Sequence, residues 1–215
     1  MREGWAAWGK GFNLAWSNLV SLIGLNLLWL AVSWLVIPAG PATLAAYWWI
    51  ATALREDKVG YGFRTLPGAF RRFFWKGLVW GLGWTVLLFL AYTNLTVWGE
   101  FLPPFATAVV EVVWIYGLLF AAAMQPHLLE FLTMEELPWG EALKRSVWQV
   151  VANPIYSHMY LLIPAIAVAA GVKFQTPAAV VLVSLVLAFA AAFGGNVPWK
   201  YGEPRPNKGR IEDVL

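Results

Sequence analysis

Three residues of this 215-residue chain have the types and spacing of a metal site. His127 and Glu130 stand three apart, which puts two ligands on adjacent turns of a helix, and His158 opens the next apolar run at a matching depth. Two imidazoles and one carboxylate make a small set, and interfacial side chains without a metal account for the trio more simply. Glu111 suggests a second chemistry. It interrupts a long apolar run about 9 Å from the start of that run, where an ionised carboxylate is costly unless protonated or paired. Glu111, Leu118, Ala122 and Gln125 share one helical face, which predicts that this face points into a helix bundle. The functional reading of Glu111 is a proton or cation site. The structural reading, which has more support, is a carboxyl hydrogen-bonded to Asn94 or Thr96, or reached by Lys173. Asn26, near the middle of the first apolar run, reads as interhelical glue rather than a ligand.

Other chemistries are excluded by type. With no cysteine there is no disulfide, thiolate metal site or thiol nucleophile. The chain has no Gly-x-Ser-x-Gly, no phosphate-cradling Gly-rich loop and no Asp/Glu pair inside an apolar run. No catalytic residue, metal or cofactor is therefore assigned.

The elements that must position these residues are membrane helices. Hydrophobic residues make up 60% of the chain and charged ones 13%, with a mean hydropathy of +0.62. Average soluble domains run at roughly 45–50% and about 25%. The apolar runs predict six spans at about 19–37, 41–54, 77–98, 105–129, 155–170 and 177–193. The second run is only about 21 Å long as a helix, so either Arg55 and Lys58 snorkel along its inner end or it is partly re-entrant behind its neighbours. The first of these is preferred. Residues 1–18 carry Trp5, Trp8, Phe12 and Trp16 at helical spacing and read as an interfacial amphipathic segment. A second interfacial helix follows Pro138, with Leu143, Val147, Val150 and Val151 as its apolar stripe. Between spans two and three, Thr65 is placed to cap a short helix opened by Pro67, with Phe70, Phe73 and Phe74 on one side and Arg71 and Arg72 on the other. Gly77, Gly81 and Gly83 mark a close-packing face, and Ala188 with Ala190 to Ala192 give the sixth span another.

Charge orients the bundle. Residues 55–76 alone hold six of the fifteen Lys and Arg, and fourteen of the fifteen fall in the N-terminal segment, the two long loops and the 194–215 tail. Lys and Arg gather in cytoplasmic loops, which predicts that both termini lie inside. Arg64, Arg71, Arg72 and Lys76 are then expected to meet anionic lipid headgroups or a protein partner, and nucleic acid is not expected.

The stretch Leu25-Asn26-Leu27-Leu28-Trp29-Leu30, then Pro38, Gly40-Pro41-Ala42-Thr43 and Ala45, then Arg55-Glu56-Asp57, then Phe63 to Arg72, resembles the N-terminal signature of the YesL-type bacterial membrane proteins. That family commonly reads Lys-Asn-Phe where this chain has Arg72-Phe73-Phe74, so no role of that asparagine is transferred. The resemblance implies no settled activity, and an association with carbohydrate uptake or glycan degradation. Together these readings favour a non-enzymatic accessory or scaffold subunit in a membrane assembly, with a protein partner or a second copy. The alternatives are a small transporter or channel using Glu111 within the bundle, and an intramembrane enzyme using His127, Glu130 and His158.

Overall fold

The computed structural model describes residues 2–34, 37–56, 63–174 and 176–195; Lys58 and the tail from residue 196 lie outside them. Among the described residues the structure is all helix and turn. It comprises α1 (Arg2–Ser17), α2 (Leu19–Ser33), α3 (Ala39–Glu56), α4 (Leu66–Arg72), α5 (Phe74–Thr96), α6 (Pro104–Thr133), α7 (Trp139–Ala152), α8 (Pro154–Met159), α9 (Leu162–Phe174) and α10 (Thr176–Gly195). By length and composition α5 and α6 can each cross a bilayer. Four crossings are reached if the bent pairs α1–α2 and α7 with the helix after it each count as one span, so the count of six goes further than the helices themselves show.

Two helices form the centre. Every residue from Gly40 to Thr52 of α3 is buried, on all sides of the helix, beneath α2, α4, α5, α6 and α10. The chain enters α3 through Pro38, whose carbonyl accepts the Ala42 amide, and Pro41 sits in the first turn, where its missing N–H is not needed. The second central helix is α10, buried from Leu187 to Phe193 against α1, α2, α3, α6 and α9. Its alanines, expected from sequence to form a close-packing face, pack inside this chain: Ala188 and Ala190 to Ala192 are all buried.

The close approaches explain several glycines. A Cβ on Gly77 would collide with the backbone of Gly40 and Pro41, and one on Gly40 with the Gly77 carbonyl, so α3 and α5 touch backbone to backbone. Gly81 continues this contact, with its Cβ position 3.4 Å from the Gly40 Cα. Gly83 does not take part, because its side faces open space.

The surface helices pack differently from the sequence expectation. Helix α1 meets α2 at 84° and lies against α10 and α8 through a stripe of small residues, Gly4, Ala7, Gly11 and Ala15, with Met159 of α8 on Gly4 and Phe189 of α10 on Gly11. Trp8 reaches inward too, edge-on to Phe189. Trp5, Phe12 and Trp16 face outward. Small side chains let helices approach closely, whereas indoles gain most in the headgroup layer, so the aromatic stripe marks the lipid side and not the docking side. On α7, which meets the next helix at 99°, the buried stripe is Ala142, Ser146, Gln149 and Val150, while Leu143, Val147 and Val151 are exposed. Thr65 occupies the position before α4 but makes no side-chain capping bond; a single 3-10 turn, Phe63–Thr65, opens that helix instead. The run 155–170 is two helices, α8 and α9, joined by a turn at Tyr160 and Leu161, so Pro164 falls in the first turn of α9 rather than mid-helix.

Only one end of the α5–α6 hairpin joins this bundle. From Ala123 to Thr133 nearly every residue of α6 is buried, whereas none from Pro104 to Ala122 is. On α5, Ala91 is the one buried residue between Leu78 and Thr96.

A buried polar cluster as the candidate functional site

The charged and polar side chains that the bundle encloses gather around the inner half of α6. Glu130 is buried, and Arg55, at the end of α3, forms an ion pair with its Oε1. The Tyr47 hydroxyl, two turns earlier on α3, donates to Glu130 Oε2 at 3.0 Å and lies 3.4 Å from the Pro126 carbonyl oxygen. Both carboxylate oxygens are thus engaged, which is the condition for keeping a charge out of water. Gly194 of α10 closes the cluster from the far side: a Cβ there would strike the Pro126 carbonyl and the Tyr47 hydroxyl. Pro126 lies inside α6 without ending it.

One turn away His127 Nε2 and Ser157 Oγ are 3.0 Å apart, and the imidazole stacks on Tyr156. The Tyr156 hydroxyl donates to the Phe193 carbonyl at 2.7 Å, tying α8 to the end of α10. His127 and Ser157 are each 1% exposed, so this histidine–serine pair is sealed from substrate. The His127 Nδ1 is buried without a hydrogen-bond partner among the described residues.

The trio His127, Glu130 and His158 is therefore not assembled as a metal site. Glu130 turns to Arg55 and Tyr47, His127 to Ser157, and His158 Nδ1 lies 2.7 Å from the Pro154 carbonyl with its ring over Tyr116. Among the described residues no group of three His, Cys, Asp or Glu could hold a metal. The spacing of His127 and Glu130 was right for two ligands, but a carboxylate that must be buried takes the strongest available cation.

The structure also corrects the placement of Glu111. It is exposed on the outer half of α6, pointing away from the bundle, because only the inner half of that helix is packed. Gln125, on the inner half, accepts from Trp80 Nε1 at 2.9 Å and donates to the Ala121 carbonyl at 2.8 Å. It lines a cleft of about 490 Å³ together with Trp29, Thr43, Trp84 and Tyr160. There the Trp29 indole donates to Thr43 Oγ1 at 2.9 Å. Asn94 bonds the Leu90 carbonyl of its own helix at 2.7 Å and does not reach Glu111. Asn26 is fully buried and accepts the Ser184 amide at 3.2 Å, linking α2 to α10. Of the basic residues, Arg72 pairs with Glu136, whose backbone has a φ of 51°, and Lys76 donates to the Leu132 carbonyl at 3.1 Å. Arg64 and Arg71 are exposed.

The residues sequence reading missed are Tyr47, Pro126 and Ser157. A weak signal was present for the first, since a tyrosine eight residues before Arg55 lies about two turns earlier and about 80° round the helix.

Fold and site together define an all-α membrane protein whose buried charges serve to lock helices. The family described as "Protein of unknown function, DUF624", a family of bacterial membrane proteins of the YesL type, matches residues 22–95, from α2 to the end of α5. No curated protein and no solved structure matches the chain.

Proposed function

We propose that this chain is a non-enzymatic scaffold or accessory subunit of a bacterial inner-membrane assembly, of the YesL type. In this reading α2, α3, α5, α6, the α8–α9 pair and α10 make six crossings, with both termini cytoplasmic. The observation that supports it is the outer part of the α5–α6 hairpin, from Gly83 onward on α5 and up to Phe120 on α6, where Ala91 is the one buried residue described on the two helices. Lipid can cover its apolar side chains, yet this half also carries features that lipid does not use. Gly83 and Gly117 face open space on its two helices, and such residues let a further helix come close. Glu111 lies exposed on the same half. The buried polar cluster then has a mechanical role, holding the base from which the hairpin projects. The separation of His127, Glu130 and His158 and the outward Glu111 lend less support to the enzyme and transporter alternatives. A service to carbohydrate uptake is implied by the family resemblance alone.

The test is extraction in mild detergent followed by mass measurement of the intact particle. A companion subunit or second copy is expected, lost in Gly83→Leu or Gly117→Leu while thermal stability stays within the range of wild type. A monodisperse single copy at several detergent strengths would overturn the reading. Gly81→Leu is unsuitable for this purpose, since Gly81 packs against Gly40 inside the chain.

A further inference from the structure

A second cavity, of about 470 Å³, opens between α2, α3 and α4. Its floor is Ala42, Ala45 and Ala46, which share one face of α3, and its walls include Leu28 and Trp29 of α2 and Phe63 and Phe70 on the other side. The volume falls within the range of about 300–1,000 Å³ for small-molecule sites. The lining is apolar except at Arg71, its one charged residue.

Arg71, like Arg64, differs from the other basic residues near it, and of the two only Arg71 lines the cavity. Arg55 is held by Glu130, Arg72 by Glu136, and Lys76 by the Leu132 carbonyl, so each of these has an acceptor within the chain. Arg71 is exposed and has no ion pair among the described residues. An always-charged guanidinium, a fork suited to phosphate, thus borders a trough suited to hydrocarbon. We propose that this groove is a binding site for one anionic phospholipid, its acyl chain lying on the α3 alanines and its phosphate on Arg71. Hydrocarbon accounts for the trough and the phosphate for the cation; inorganic phosphate alone would leave the trough empty. This inference is independent of the accessory-subunit reading, because a monomer would hold the lipid equally well.

The experiment titrates the delipidated full chain in detergent with dioleoyl phosphatidylglycerol, with phosphatidylcholine of the same chains, or with inorganic phosphate, and reads bound lipid by native mass spectrometry. One phosphatidylglycerol is expected to bind more tightly than phosphatidylcholine, and Arg71→Gln is expected to weaken it about fivefold while bringing the two lipids together. Leu28→Trp, on a wall residue that is already partly exposed, should weaken both lipids by filling the groove. Equal binding of the two lipids by wild type, unchanged in Arg71→Gln, would show bulk lipid filling a hollow and overturn the proposal. Displacement of phosphatidylglycerol by inorganic phosphate would overturn it in favour of a free-anion site. Retention of no lipid by wild type would do so in favour of a groove covered by protein. Should Leu28→Trp fail to fold, the wild-type lipid series and the surface variant Arg71→Gln still decide the question.

Discussion

Glu130 shows how a buried charge chooses among partners. In sequence it pairs with His127 at ligand spacing, yet the fold brings it Arg55 from 75 positions away and Tyr47 from 83. A carboxylate leaving water needs full compensation, and a guanidinium with a phenol supplies more than a neutral imidazole can. Glu130→Leu should destabilise by about 3 kcal/mol, the lower end for a broken buried pair because Arg55 is partly exposed. Glu130→Gln should cost less, since the amide still serves both neighbours, and Tyr47→Phe about 1 kcal/mol. Adding Arg55→Met to Glu130→Leu should restore part of the loss by removing the stranded cation. Thermal melts in detergent check the order, and a double variant no more stable than Glu130→Leu would contradict it. The two-ligand spacing was legible, but which oxygen meets which nitrogen depends on helices far apart in the chain.

At the scale of elements, the apolar runs announced helices because a stretch without charge that must satisfy its own backbone in lipid has no other regular choice than a helix or a closed barrel. What the runs could not announce is which face turns inward. A helix apolar on all sides has no amphipathic signal, as in α3 and α10, and on α1 the signal pointed to the lipid side because the docking stripe is made of Gly and Ala. Small residues declare close packing without naming the partner. Gly77 and Gly81 meet α3, whereas Gly83 meets nothing within 4 Å. Gly77→Ala should therefore destabilise by about 1–3 kcal/mol, as overpacking against immovable backbone does. Gly83→Ala should be neutral or gain up to about 1 kcal/mol from helix propensity. Melts of the two single variants, side by side, measure the difference; equal effects would mean that α5 does not lie on α3.

For the whole molecule, the position of α3 decides the number of crossings. Gly40 at its start touches Gly77, Arg55 at its end pairs with Glu130, and Lys76 reaches Leu132, so both ends of α3 meet the same end of the α5–α6 hairpin. Reporter fusions after Arg55 and Arg145 should read cytoplasmic and one after Glu100 external; a cytoplasmic reading at Glu100 would mean that α3 dips into the bilayer and returns. The 14-residue run 41–54 showed this tension in its length, and only contacts distant in sequence reveal which end of the hairpin it meets. The hairpin carries a further consequence. The apolar stretch 105–129 of α6 measures about 37 Å against a hydrocarbon layer of about 30 Å, a mismatch that a tilt of about 35–40° would absorb. The hairpin is clamped at one end, by contacts such as Lys76 to Leu132 and Trp80 to Gln125 and by the packed stretch 123–133, so its tilt is set there and the bilayer must adapt to the unpacked remainder.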